Sequence, residues 1–331
     1  MQQIGSTPTQ SILNNQNLYI STQKIKSGCT TSSSLIFYHF IIHSKININI
    51  NNLCPELSPI IISHSVYNKV KELTDNILVL HSKSNKDIQQ PYHLLISNER
   101  LGLSSICKMH MCLFYLELAE LISITYLVNL IEKKSTTILF VNSAFHEQNM
   151  GFMNLYQKDD NIYTTNIHDN NIMGSNIASD VAMDVVFMDN LTHLDYHAAL
   201  KIIYKYQHEG STLMIKTSDL FYKQSIEFIN ILKSLYHQVI FIQPSISDVL
   251  RGDKYIVCKN KKNNYTVSSF YSDTPWSVHL LNKIEDMNIY FGKKQLESLQ
   301  QYIESPDNAK FNICKSIQWC KTFKIPYNSL F

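Results

Sequence analysis

Hydrophobic and polar positions follow two different rhythms along the chain. From about residue 104, apolar runs of strand length alternate with longer stretches that place an apolar residue every three or four positions. This rhythm predicts a helix over 105–132, a strand at Thr136–Asn142, and then a loop and a helix. Further strands are predicted at Ile162–Ile167, Asp184–Met188, Thr212–Lys216, Gln238–Ile242 and Lys254–Lys259, with helices over 193–208 and 219–236. Strands alternating with helices of this length predict an α/β fold, a doubly wound, mostly parallel sheet with helices on both faces. After Lys262 the polar pair Asn263–Asn264 breaks the pattern, and helices are predicted near 276–287, 293–304 and 308–322.

Upstream the rhythm is looser. β-like runs at Leu35–Ile42, Ile46–Ile50, Pro59–Ser63, Ile77–Leu80 and Tyr92–Ile96 surround a predicted helix near 65–73. Residues 1–33 are rich in Ser, Thr, Gln and Asn and predict a flexible arm. The expected division is therefore an arm at 1–33, an irregular α+β region at 34–103, a sheet domain at 104–262 and a C-terminal helical extension at 263–331.

Composition narrows the chemistry. The 331 residues are 44% hydrophobic and only 17% charged, with a net charge of +2, so neither a strongly basic nucleic-acid coat nor an acidic tail is present. Of the 29 basic residues only Arg100 and Arg251 are arginine. With abundant Asn, Ile, Lys and Tyr, this points to an A/T-rich gene, and lysine lacks arginine's bidentate fork. The eight glycines are scattered, no two closer than 23 positions, which excludes a P-loop or a GxGxxG turn.

Seven cysteines, an odd number with no CxxC and no signal-like leader, argue against a disulfide framework. Cys107, His110 and Cys112 lie in an apolar helical run and read as packed side chains, so no metal is expected. The apolar stretch 110–131 carries His110, Glu117 and Glu120, each costly in a bilayer, so the expectation is a buried helix of a soluble, cytoplasmic protein without a membrane partner.

Three segments carry the candidate chemistry. The strand Asp184–Met188 runs into Asp189, the strand Thr212–Ile215 runs into Lys216, and the loop Pro244–Gly252 runs through Asp253 into the strand at 254–259. A doubly wound sheet places ligands at the carboxyl ends of its strands, where these three side chains would gather. In the same order, a strand ending in Asp, an apolar strand ending in Lys, and a later stretch with Pro244, Ser247, Tyr255 and Val257 in step resemble the FtsJ-type RNA ribose 2′-O-methyltransferases. The resemblance includes cap-specific enzymes of large cytoplasmic DNA viruses, and extends to Ser218–Phe221, Asp273–Pro275 and Trp319–Pro326. It covers about 105–326 and implies a Rossmann-like methyltransferase fold.

The family's Lys-Asp-Lys-Glu tetrad implies catalytic roles for Asp189, Lys216 and Asp253, the last being one methylene shorter than the family's Glu. A lysine that accepts a ribose hydroxyl proton must be neutral, and a second ammonium nearby lowers its pKa. The family's other lysine lies on the helix before the first strand. The stretch Leu121–Thr125 holds none, and Lys108 is the candidate on that helix.

The family's Pro-Gly-Gly-Phe cofactor loop is degenerate here. Either Gly151–Phe152 is its remnant after an insertion, or Phe145, His146 and Glu147 fill its slots. The resemblance implies S-adenosylmethionine as cofactor, held by Asn142, Ser143, Ala144 and Gly151 with Asp169 at its ribose. Two functions follow. One is an RNA 2′-O-methyltransferase acting on capped mRNA. The other is an inactive relative serving as a structural or RNA-binding subunit beside capping or polyadenylation machinery, in the cytoplasm, a viral factory or a virion.

Overall fold

The computed structural model describes residues 18–23, 35–43, 63–84, 113–125, 136–142, 161–167, 181–218, 220–245, 247, 252–263, 276–304, 319 and 321–323. Its strands are β1 (Leu18–Gln23), β2 (Leu35–His43), β3 (Thr137–Val141), β4 (Asn161–Thr165), β5 (Met183–Leu191), β6 (Gln207–Thr217), β7 (Tyr236–Ile242) and β8 (Lys254–Lys261). Its helices are α1 (His64–Ser84), α2 (Leu113–Ile124), α3 (Tyr196–Tyr206), α4 (Lys223–Leu235) and α5 (Val278–Glu304).

All eight strands join one sheet in the order β1-β2-β7-β8-β6-β5-β3-β4. The pairs β4–β3, β3–β5 and β5–β6 are parallel. β8 is inserted antiparallel between β6 and β7. This is the Rossmann-like methyltransferase arrangement, a doubly wound sheet whose order switches direction between β3 and β5. The carboxyl ends of β3 to β7 and the start of β8 therefore share one edge. On the far side, β2 pairs antiparallel with β7 and β1 with β2, so strands from both 1–33 and 34–103 extend the same sheet.

Alternation along the strands separates two faces. Val186, Met188, Leu213, Ile215, Val239, Phe241, Ile256 and Cys258 point toward α3, α4 and the first half of α5 in one core. Phe140, Phe187 and Tyr255 lie on the opposite face, their rings in successive contact, toward α2. Three lysines at the end of β8 close the helices from below. Lys259 donates to the Thr125 carbonyl just past α2, Lys261 to the Ile203 and Gln207 carbonyls of α3's end, and Lys262 to the Ser234 carbonyl of α4. Carbonyls left open at a helix C-terminus are suitable partners for a cation.

Three expectations change. Ile77–Leu80 is helical rather than extended, because α1 runs on to Ser84. Leu73 and Ile77, four positions apart, bury together against Leu299, with Leu296 and Ile303 beside them, and this packing favours the helix over the local β preference. The helices expected at 276–287 and 293–304 are one helix, α5, continuous through Gly292. Leu18–Gln23, expected within the arm, is strand β1. The runs at Ile46–Ile50 and Tyr92–Ile96 and most of 308–322 lie outside the described residues.

Candidate functional site

Each of the three strand-end residues reaches the site by a local device. At the end of β5 the register against β6 shifts between Met188 and Leu191, and Asn190 takes the left-handed conformation at φ 51°. Asp189, two positions after Phe187, lies on the α2 face by the strand's own alternation; the bulge follows it, and the Asn190 N–H bonds its carboxyl. Lys216, near the end of β6, pairs across the ladder with Tyr255 of β8. Before β8 the chain turns through Gly252 at φ 71°, where any Cβ would collide with the Gln295 side chain. That close turn delivers Asp253 to the same edge.

The structure brings together Asp189, Lys216 and Asp253, and adds a residue that the sequence reading did not assign. The Lys216 ammonium donates to Glu117 Oε2 at 3.0 Å and lies 3.4 Å from Asp253 Oδ2. The Tyr255 hydroxyl donates to the same Glu117 oxygen at 2.6 Å. Glu117 comes from α2, the helix on which the resemblance seeks a second lysine. The exposures are 0% for Glu117, 7% for Asp189, 9% for Lys216 and 7% for Asp253, so these charges meet with little water between them. Among the described residues, Glu117 Oε1 and Asp189 Oδ1 are buried without a hydrogen-bond partner.

Three carboxyls thus surround one ammonium. Burial opposes the charge on Lys216, but Glu117 and Asp253 outweigh it and hold the lysine above its ordinary pKa. Burial pushes the Asp189 carboxyl up, and Glu117 and Asp253 add to that against the pull of Lys216. Burial, reinforced by Glu117, pushes the Tyr255 hydroxyl well above the usual phenol range. The signal available for Glu117 was a carboxylate isolated in an apolar helical run, which requires a buried partner.

One helical turn further along α2, Glu120 is anchored separately. It accepts from the Ser245 backbone at 2.7 Å, the Ser245 hydroxyl at 3.0 Å and the Trp319 indole at 2.9 Å. Burial raises its pKa to about 7. Glu120 thereby ties α2 to the loop between β7 and β8 and to the C-terminal segment.

Of the expected cofactor contacts, Asn142 is described. It follows β3 in the left-handed conformation at φ 60°, and its side-chain oxygen accepts the Ile167 N–H at 2.8 Å. Its carboxamide oxygen therefore ties the ends of β3 and β4 together. Lys108, Ser143, Ala144, Gly151 and Asp169 lie outside the described residues, as do Cys107, His110 and Cys112. Among the described residues no group of three His, Cys, Asp or Glu side chains could hold a metal, and no helix is long and apolar enough to cross a membrane.

No protein-family model matches the chain, and no curated protein matches it. Solved structures similar to it are methyltransferases. A ribosomal RNA methyltransferase from Plasmodium falciparum is 17% identical over 43% of this chain and 94% of its own, with a TM-score of 0.33. A class I S-adenosylmethionine-dependent methyltransferase from Listeria monocytogenes is 10% identical over 66% of this chain and 79% of its own, at 0.30. An rRNA methylase from Streptococcus thermophilus is 7% identical over 45% of this chain and 94% of its own, at 0.28. At such scores the fold rests on the strand order itself.

Proposed function

We propose that the chain descends from FtsJ-type RNA ribose 2′-O-methyltransferases and has exchanged transfer chemistry for binding. In this reading it is a structural or RNA-binding subunit of viral mRNA processing, a partner of capping or polyadenylation machinery. The observation that carries the reading is Glu117 on Lys216. A ribose hydroxyl needs a neutral lysine as its base. The family's second ammonium would favour that state, and a carboxylate in contact favours the opposite one. Glu117 and Asp253 beside it hold the Lys216 ammonium above its ordinary pKa, against the direction a base needs. S-adenosylmethionine remains the cofactor that the resemblance implies.

The gathering of Asp189, Lys216 and Asp253 at one sheet edge favours a second reading, an active 2′-O-methyltransferase for which S-adenosylmethionine would supply the methyl group. Methyl transfer to a capped RNA from labelled S-adenosylmethionine decides between them, with cofactor binding followed by calorimetry. The expected result is no transfer by the wild type above background and no micromolar cofactor binding. Transfer that is lost in Lys216→Ala would overturn the binding reading in favour of the enzyme.

A further inference from the structure

Beside the buried charges, the same sheet edge carries an aromatic surface that the charged site does not use. His193 follows β5 and Tyr222 precedes α4, and their rings stack at 4.3 Å with 30° between planes. Tyr67 of α1 meets Tyr222 and Phe221 edge-on at 6.3 and 5.4 Å, and its hydroxyl lies 3.4 Å from that of Tyr222. Tyr222 and His193 are half-buried, and Leu194 next to them is 67% exposed. The turn that presents His193 and Leu194 is fixed. The Asp195 carboxyl accepts from the Thr192 N–H at 2.9 Å and the Thr192 hydroxyl at 2.8 Å, and the Asp195 N–H closes the turn on the Thr192 carbonyl at 3.1 Å. Lys223, the next residue after Tyr222, is 44% exposed and 3.7 Å from Glu227, a long, partly solvated pair that leaves its ammonium able to turn toward a phosphate.

We infer that His193, Leu194 and Tyr222 form a stacking platform for an unpaired nucleobase of a single-stranded RNA lying along the carboxyl edge of the sheet. The chemistry is that of sequence-tolerant single-strand recognition, in which a base lies on a pre-positioned ring and a nearby cation meets the backbone. His193 follows β5, which carries Asp189, and Tyr222 follows β6, which carries Lys216, so the platform stands at the same carboxyl edge of the sheet. The inference rests on the RNA-binding part of the proposed function and adds the form of RNA that is bound.

Fluorescence anisotropy with a labelled oligouridine and a blunt RNA duplex of equal length tests it on the full chain. The wild type is expected to prefer the single strand, and Tyr222→Ala to weaken that binding about fivefold or more, with Tyr222→Phe close to wild type. Because Tyr222 also packs on Tyr67, Leu194→Trp provides a second measurement at an exposed position. Its added indole fluorescence should be quenched by oligouridine and not by the duplex. Unchanged affinity in a folded Tyr222→Ala protein, or an unquenched Trp at position 194, overturns the platform while leaving RNA binding standing. Absence of any RNA binding by the wild type overturns the platform together with the RNA-binding role.

Discussion

Lys216 is the residue on which the two functional readings diverge. As a base it would be dispensable for stability, whereas as the counter-ion of buried carboxylates it holds the edge together. The structure gives it Glu117 at 3.0 Å and Asp253 at 3.4 Å, all three at least nine-tenths buried. Removing one partner of a buried ion pair leaves an uncompensated charge and costs about 3–5 kcal/mol. Lys216→Ala should therefore lower the urea-unfolding free energy by about that amount. Glu117→Gln added to it should recover part of the loss, because the stranded carboxylate is gone. Additive effects of the two substitutions, in a double-mutant cycle, would show that the two side chains do not share this interaction. Asp189, Lys216 and Asp253 were legible in the sequence because each ends or begins a strand in a fixed order. Glu117 was not, because its partner is 99 positions away and the apolar run around it gave a reason to read it only as a charge unsuited to a membrane.

At the scale of the element, α2 is fastened by a second acid that titrates near neutrality. Glu120 is fully buried and its pKa is raised from 4.5 to about 7. The unfolded chain ionises this group first, so between about pH 4.5 and 7 the folded state binds more protons and stability falls as pH rises. The full difference is about 3 kcal/mol, reached above the folded pKa. Urea midpoints at pH 5 and pH 7.5 should decline accordingly in the wild type, and this part of the decline should vanish in Glu120→Gln. An identical pH slope in the two proteins would place the titration elsewhere. The strands and helices around α2 were largely readable, since β3 to β8 alternate cleanly with helices. The bulge at Asn190 was not, because a left-handed residue next to an acid looks the same in sequence as an ordinary turn. The helical state of Ile77–Leu80 was hidden for a different reason. A short β-branched run has no helical period of its own, and the partner that decides it, Leu299, is remote in sequence.

At the scale of the whole molecule, α1, which comes before the parallel strands, is packed against α5, which comes after them. Along that contact the Val66 side chain sits so closely on Gly292 that an added Cβ would overlap Val66 Cγ1. The pattern around Gly292 predicted a break between two helices, whereas the structure uses the missing side chain for packing inside a single one. Two effects then oppose each other in Gly292→Ala. Alanine is favoured over glycine in a helix interior by about 1 kcal/mol, while forcing an extra carbon into a filled contact costs about 1–3 kcal/mol. The contact is too short for a small adjustment, so the second effect should win and Gly292→Ala should be less stable than wild type. Val66→Ala removes the obstructing methyl groups. In the Val66→Ala, Gly292→Ala protein the helix gain should reappear, leaving it more stable than Val66→Ala alone. Thermal and urea unfolding of the four proteins read this directly. If Gly292→Ala is stabilising in the presence of Val66, then α1 does not sit this close to α5, and the region before the Rossmann sheet is held to it by the strands β1 and β2 instead.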